Sequence, residues 1–264
     1  MNPFSKLSYL AIPLLLSFLI TSPAHAHFGM IIPDQPIISQ DNKTTELTLN
    51  FSHPFENHTM NLDKPKRFFV AVNDKNTDLI NTLEQIDLLE HTAWKASYSF
   101  KRPGIYQFVM EPTPYWEPSE DLSIIHYTKT IVPAFGDDEG WDKPVGLPTE
   151  IVPLLRPFGN YAGNSFTGQV LVNGAPAAHA DVEVELYNPT GTYRAPSDYH
   201  VTQLVKANSE GIFTFTCPVA GWWGFSALTE ADYTLKNPDG KDKPVELGAV
   251  LWTYFHPFAH QGTN

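Results

Sequence analysis

Histidine gives this sequence its clearest chemical potential. The chain contains 10 histidines among 264 residues but a single cysteine, Cys217. One thiol excludes both an internal disulfide and a metal site built from several thiolates. Imidazoles combined with nitrogen or oxygen partners suit nickel, copper, cobalt or zinc. The first site to consider is therefore a nitrogen-rich one for a transition-metal ion.

The histidine at position 27 owes its interest to what precedes it. An apolar run over residues 7–20 is followed by Ala24-His25-Ala26-His27, the pattern of a secretory signal peptide that is cut after Ala26. Cleavage would give His27 a free α-amine beside its imidazole, so one residue would offer two nitrogens to a metal. A cut after Ala24 is the alternative, and it would expose a histidine at position three, which can bind copper or nickel in a square plane.

Two other histidines lie where a strand would aim them. His53 precedes a proline, which holds it extended at the end of an alternating segment, and His126 lies inside the apparent strand 122–130. We expect His27, His53 and His126 to form one metal site. The plainer interpretation of His53 and His126 is a core histidine that donates to a backbone carbonyl, and that of His27 is an N-terminal histidine left by chance when the signal is cut. Weaker candidates, interpreted as surface or terminal histidines, are His58, His91, His256 and His260.

Alternation of apolar and polar residues predicts the strands that must position these side chains. The clearest segments are 45–51, 67–72, 94–100, 104–110, 166–172, 181–187, 212–216 and 221–228. Between two of them, Asn173-Gly174 predicts a tight hairpin turn. Only residues 78–90 allow a helical interpretation, because their leucines could share one face.

Turn-forming residues are frequent, with 23 prolines and 16 glycines, which argues against a helical bundle. We expect an all-β protein of two β-sandwich domains, the second transthyretin-like or immunoglobulin-like. Residues 137–163 are rich in proline and glycine and predict the crossing between domains, with the boundary near Pro157. The predicted division is a signal peptide over 1–26, a metal-binding domain over 27–157 and a sandwich over 158–264.

The charge balance narrows the function classes. Acidic residues exceed basic ones by 29 to 17, a net charge of −12, which would repel phosphate backbones and attract cations. A nucleic-acid partner is therefore not expected. The sequence also lacks a glycine-rich phosphate loop, a Gly-x-Ser-x-Gly elbow and a His-Glu-x-x-His pair. We expect a binding protein and not an enzyme.

Several longer motifs carry a family resemblance. They are the segments 27–33, 51–55, 114–118, 126–130, 135–141 and 220–225. Together with the Ala-x-Ala cut before His27, they resemble the NikK-type family of periplasmic proteins associated with nickel and cobalt uptake transporters. The resemblance implies a periplasmic, β-rich protein that holds a nickel or cobalt ion for a membrane permease, without catalysis.

Two other classes share some of these features. An N-terminal histidine paired with a second histidine also resembles the copper sites of lytic polysaccharide monooxygenases and of periplasmic copper carriers. A structural or adhesive sandwich protein, in which the histidines are incidental, is the third class. The sequence leaves the metal open, because intrinsic affinities favour copper at almost any such site.

Overall fold

The computed structural model describes residues 26–259. Residues 1–25 and 260–264 lie outside the described part, and with them lie nearly all of the predicted signal peptide and His260. Among the described residues, no helix is both long enough and apolar enough to cross a membrane.

The described residues form twenty-one strands and two single 3₁₀ turns, at Ile80–Thr82 and Asp198–His200. The first eleven strands are β1 Phe28–Pro33, β2 Thr44–His53, β3 His58–Met60, β4 Arg67–Val72, β5 Lys75–Asp78, β6 Glu84–Leu88, β7 His91–Ser99, β8 Gly104–Glu111, β9 Tyr115–Glu117, β10 Leu122–Ala134 and β11 Thr149–Pro153. The others are β12 Asn160–Tyr161, β13 Ser165–Val172, β14 Ala175–Pro176, β15 Asp181–Leu186, β16 Gln203–Lys206, β17 Ile212–Thr216, β18 Gly221–Glu230, β19 Leu235–Lys236, β20 Asp242–Lys243 and β21 Val245–His256.

The all-β prediction is confirmed, and the helical interpretation of residues 78–90 is wrong. That segment contains one 3₁₀ turn and then β6, which pairs with β7 in an antiparallel hairpin. Leu89 and Glu90 form the turn with positive φ angles of 52° and 68°, which bend the chain back on itself. Pairing with β7 therefore overrides the helical spacing of the leucines.

Three larger sheets and a two-stranded ribbon, β19-β20, build the described part of the molecule. A five-stranded sheet has the order β1-β2-β7-β6, with β3 added to β2. A ten-stranded sheet follows the order β16-β15-β18-β21-β10-β8-β4-β5, with β12 added to β21 and β9 added to β10. A four-stranded sheet contains β11, β13, β14 and β17. The parallel pairing of β10 with β21 joins strands from the two halves of the chain into one continuous sheet.

Each smaller sheet encloses a hydrophobic core against part of the large sheet. Leu47 of the five-stranded sheet packs in one cluster with Phe68 and Phe108. Val170 of the four-stranded sheet packs in another cluster with Phe225. The β-sandwich prediction is thus confirmed, with two sandwiches that share one sheet. The proposed domain boundary near residue 157 stays a prediction.

The first strand lies across the large sheet, and this places position 27. Phe28 of β1 packs against Trp252 of β21, and the indole nitrogen of Trp252 donates to the carbonyl of Gly29 at 2.8 Å. A Cβ on Gly29 would lie 2.3 Å from the hydroxyl oxygen of Thr128. Only glycine therefore allows β1 to come this close to β10.

Candidate metal centre

Strand register brings two of the predicted ligands together. β1 and β2 are antiparallel with Phe28 opposite Ser52, so His27 lies opposite His53 one position further. Directly opposed residues place their side chains on the same face of a sheet. The two imidazole centroids lie 4.7 Å apart, and each residue is 9% exposed. The pair is therefore adjacent and close to the surface.

A carboxylate fixes the imidazole of His27. Oε2 of Glu117, the last residue of β9, lies 3.1 Å from Nε2 of His27. The other carboxylate oxygen accepts hydrogen bonds from the backbone nitrogen of Ser119, at 2.9 Å, and from its hydroxyl. An ionised carboxylate only accepts, so Nε2 of His27 carries the hydrogen. In the neutral ring the lone pair is then on Nδ1, the nitrogen that can form a chelate ring together with the α-nitrogen.

The electrostatics favour that protonation state. Burial lowers the pKa of His27, and nearby His126 lowers it further, against the opposing effect of Glu117. Burial alone would raise the pKa of Glu117, but the hydrogen bonds from Ser119 and the neighbouring His27 outweigh it and lower that pKa. At neutral pH the pair is thus a neutral imidazole beside an ionised carboxylate. A metal ligand must be neutral imidazole, so little proton displacement is needed.

His126 has different surroundings. It lies inside β10 and is 2% exposed. Its Nδ1 accepts a hydrogen bond from the backbone nitrogen of Gly29 at 3.4 Å, which leaves the hydrogen on Nε2. Nε2 lies 3.5 Å from Oε1 of Glu246, and among the described residues it has no hydrogen-bond partner of good geometry. The N–H at Nε2 of His126 therefore faces the carboxylate of Glu246.

His126 packs against a different strand. A Cβ on Gly248 would lie 2.3 Å from Cδ2 of the His126 ring, so the imidazole lies directly on the backbone of β21. Phe51 contacts both environments, with its ring centroid 5.5 Å from that of His27 and 5.7 Å from that of His126. The structure therefore places His27 and His53 in ring contact, and it places His126 against Phe51 and β21.

A complete cluster of side-chain ligands is not preformed. Within residues 26–259, no three His, Cys, Asp or Glu side chains are arranged to hold one metal ion. The site predicted from the sequence counts the α-amine of His27 as a donor, and that amine belongs to the backbone and exists only after cleavage. A shared site of His27, His53 and His126 thus stays a prediction.

Sequence reasoning placed His58 in a polar loop, and the structure places it in β3. Its partner across the β2–β3 hairpin is His53, with ring centroids 5.6 Å apart. His27, His53 and His58 therefore follow one another across β1, β2 and β3, and we refer to them as the histidine row. The detectable signal was the spacing His53-Pro54-x-x-x-His58, a four-residue turn between two short extended segments.

The turn that joins β2 to β3 is held by the second half of the chain. The backbone nitrogen of Phe55 donates to Oε2 of Glu185 at 3.2 Å. The backbone nitrogen of Asn188 donates to the carbonyl of Pro54, and its side-chain amide donates to the carbonyl of Phe55, both at 3.1 Å. Residues about 130 positions away in the chain thereby fix the relative placement of His53 and His58.

Glu117 was also missed from the sequence. It belongs to the proline-rich segment 114–118, which entered only as one motif of the family resemblance. A glutamate enclosed by prolines in an extended segment is a weak signal, because nothing local indicates which strand it faces. Of the remaining weaker candidates, His91 on β7 lies beside the row, with its Nδ1 3.0 Å from the hydroxyl of Thr59.

Comparison with known families places the chain. Residues 24–231 match the family described as a domain of unknown function, DUF4198. The chain belongs to this family. The match includes the whole histidine row and Glu117, and it ends before β21. The description assigns no function, so the nickel and cobalt association is a matter for proposal.

Solved structures resemble the chain only loosely. The D0-D1 domain of intimin has 10% sequence identity and a TM-score of 0.26, with 88% of this chain and 100% of that one covered. Titin immunoglobulin tandem domains have 8% identity and a TM-score of 0.20, covering 88% and 100%. Native α2-macroglobulin from Escherichia coli has 11% identity and a TM-score of 0.22, covering 91% and 76%. No curated protein matches significantly.

Proposed function

We propose that the mature protein is an exported nickel- or cobalt-binding component that supplies a membrane uptake transporter. The ion would be bound by the α-amine and Nδ1 of His27 together with the imidazole of His53. The family resemblance of the sequence supports the transport role. The geometry of the histidine row supports the binding role.

The hydrogen bond from His27 to Glu117 is the observation that carries this proposal. Metal-ligating histidines usually donate their second ring N–H to a carboxylate, which fixes the ring and its tautomer. Glu117 accepts Nε2–H of His27 at 3.1 Å and is itself fixed by Ser119. The second nitrogen, Nδ1, can then close a six-membered chelate ring with the α-amine on one ion.

The separation of His27 and His53 suits a shared ion. With metal–nitrogen distances of about 2.1 Å, two imidazole centroids lie about 4.5 Å apart when the ligands are adjacent in a square plane. The observed separation is 4.7 Å. An amine and two imidazoles are three nitrogen donors, and nickel or copper accepts such a set in a tetragonal arrangement.

His126 would supply a third imidazole, and we expect its contribution to metal affinity to be smaller than that of His53. Its Nε2 is buried and lacks a well-aligned hydrogen bond among the described residues, as a ligating nitrogen would without its ion. Against this, Nδ1 accepts from Gly29, and ligation through Nε2 would require the ring to exchange its tautomer and that hydrogen bond. We therefore expect His126 to influence binding less than His53.

Blocking the amine is the most direct test of the site. The mature protein beginning at His27 would be compared by nickel titration with a chain that carries Ala-Pro before His27. Proline has no N–H to lose, so the extension creates no replacement chelate through backbone nitrogens. We expect the extension to weaken binding at least about 100-fold through loss of the chelate ring, while His200→Ala, at an exposed site, leaves it unchanged. Equal affinities with and without the extension would refute the site.

The transport role has its own test. The mature chain carries an acidic excess, which favours capture of cations outside the membrane. A strain that lacks this protein should accumulate less nickel or cobalt than its parent at low external supply, and the intact gene should restore uptake. Unchanged accumulation of both metals would refute the transport role while leaving metal binding open to the titration above.

Copper is the second candidate ion, because the same three nitrogens satisfy it. Divalent copper binds nitrogen sites more tightly than nickel or cobalt as a rule, so affinity alone does not identify the ion used in the cell. Cells would be grown with nickel, cobalt and copper supplied, and the protein purified from their periplasm would be analysed for metal. The metal it contains distinguishes a nickel or cobalt protein from a copper protein. Copper in the exported protein, with unchanged nickel uptake in the deletion strain, would favour a copper carrier.

A further inference from the structure

The outer end of the histidine row has no role in the site proposed above. His58 is exposed, whereas His53 and His27 are both buried. The centroid of His53 lies 5.6 Å from that of His58 and 4.7 Å from that of His27. His53 therefore belongs to two overlapping pairs, one open to solvent and one enclosed.

Both pairs have a spacing that one ion can bridge. For metal–nitrogen distances of about 2.1 Å, centroids are separated by about 4.5 Å for adjacent ligands and about 6.4 Å for opposite ligands. The two observed separations lie within that range. Since no three His, Cys, Asp or Glu side chains of residues 26–259 are placed to hold one ion together, the row offers two successive pair sites.

The outer pair keeps its spacing without a metal. The backbone of the β2–β3 hairpin pairs His53 with His58, and the turn between them is bound at Pro54 and Phe55 by Asn188. A pair that is held in place by the fold loses little conformational entropy on binding an ion. An exposed histidine on a mobile loop would not have this property.

We propose that His58 is the exchange ligand through which a metal ion passes between the surroundings and the buried site. This inference rests on the proposed function. The ion binds first between His58 and His53, and it then reaches the imidazole and amine of His27 while His53 stays bound. Release to an acceptor follows the reverse order. A ligand used only in passage lowers the barrier in both directions and leaves the equilibrium affinity unchanged.

Exchange kinetics distinguish this role from ordinary ligation. Mature protein and its His58→Ala variant would be loaded with Co²⁺, and transfer of the ion to the chromophoric chelator 4-(2-pyridylazo)resorcinol would be followed by stopped flow. Binding rates would be measured from the cobalt d–d absorbance, and affinities by equilibrium competition. His200→Ala is the matched control, because His200 is exposed, contacts Ser197 and lies outside the row.

We expect His58→Ala to slow both binding and transfer about tenfold, which is about 1.4 kcal/mol on each barrier, and to change the affinity less than twofold. The cobalt spectrum of the loaded state should be unchanged, and His200→Ala should behave as the parent in every measurement. Equal exchange rates in His58→Ala and the parent would overturn the inference while the proposed function stands. A large loss of affinity in His58→Ala would also overturn it, because His58 would then be a permanent ligand. Absence of binding by the parent protein would instead refute the proposed function itself.

Discussion

The two histidine environments of this protein differ in what surrounds the ring nitrogens. At the edge of the five-stranded sheet, His27 and His53 stand opposite each other, and a carboxylate beside Nε2 of His27 selects its tautomer. Under β1, His126 is enclosed by glycine backbone and its Nδ1 accepts a hydrogen bond from an amide. The two imidazoles therefore differ in where their lone pair lies: that of His27 is on Nδ1, next to the α-nitrogen, whereas that of His126 is already used by the backbone.

The edge environment depends on the second half of the chain for its shape. Glu185, on β15, is 1% exposed and accepts hydrogen bonds from Phe55, in the turn of the histidine row, and from the hydroxyl of Thr202. Burial raises the pKa of Glu185 to about 8. The enclosed environment of His126 needs no such support, since it lies within paired strands.

The largest expected effect is a loss of stability as the pH rises. Folded Glu185 keeps its proton up to about pH 8, whereas the unfolded chain releases it near the usual value of 4.5, so the folded state binds more protons between these values. Stability is then fully present below the unfolded pKa and declines as the pH rises through the folded one. Between pH 5 and pH 9 we expect Glu185 alone to remove about 4 kcal/mol of the stability measured by urea unfolding.

Glu185→Gln is the control for this effect, because the amide keeps the shape and does not titrate. It should remove about half of the dependence on pH, and above pH 8 the variant should be at least as stable as the parent. Glu183, whose pKa burial also raises to about 8, accounts for the remainder. A parent protein whose stability rises over this interval would show that Glu185 is ionised in the fold.

The second prediction compares the two environments directly by metal affinity. We expect His53→Ala to weaken nickel binding by about 100-fold, or about 2.7 kcal/mol, and His126→Ala to weaken it by less than about tenfold. The reason is that His53 is in ring contact with His27, whereas Nδ1 of His126 already accepts a hydrogen bond from Gly29. Calorimetric titration of the mature variants provides the values. Equal losses for the two substitutions would restore the single three-histidine site expected from the sequence.

Local pattern was sufficient to predict the strands and was insufficient to pair them. Residues 67–72 and 212–216 alternate in the sequence and are strands β4 and β17 with the same bounds. The helical interpretation of residues 78–90 failed, because pairing between β6 and β7 is a contact between segments. Short β3 and β9 carried too few residues for alternation to indicate a strand.

The candidate site was predictable only as far as the chemistry of single residues. The cleavage pattern indicates His27 as a candidate ligand, and the proline after His53 indicates His53 as another. Glu117 reaches His27 across 90 positions of the chain, and its role depends on β9 pairing with β10, which no local spacing indicates. His58 is a candidate only because β3 pairs with β2 and so places His58 opposite His53. Residue type predicted the candidate ligands, and strand register determines which of them lie next to each other.

The third prediction tests whether space confines His126. A Cβ at position 248 would lie 2.3 Å from Cδ2 and 2.6 Å from Nε2 of the His126 ring. We expect Gly248→Ala to destabilise the protein by about 2 kcal/mol, the cost of overpacking a filled site. The ring is the obstacle, so adding His126→Ala should recover most of this loss, a coupling that urea unfolding of both single variants and the double variant measures. Strictly additive losses would mean that the backbone of β21, and not the imidazole, limits the space.

The smallest expected effect concerns the residue that makes the edge environment useful. Glu117→Gln keeps the size of the side chain, but it removes the charge beside His27 and leaves one accepting oxygen where the carboxylate has two. With that oxygen on Nε2–H of His27 the tautomer is preserved, while the link to Ser119 is lost and the ring becomes a weaker donor, and we expect nickel affinity to fall about tenfold. Glu210→Gln, at an exposed turn far along the chain, is the matched control for loss of one negative charge. Long-range attraction would weaken both variants equally and would decline with added salt, whereas a bond that orients the ring weakens only Glu117→Gln and persists at high salt. Equal losses of nickel affinity in the two variants would show that the overall negative charge of the chain, and not Glu117, strengthens metal binding at the histidine row.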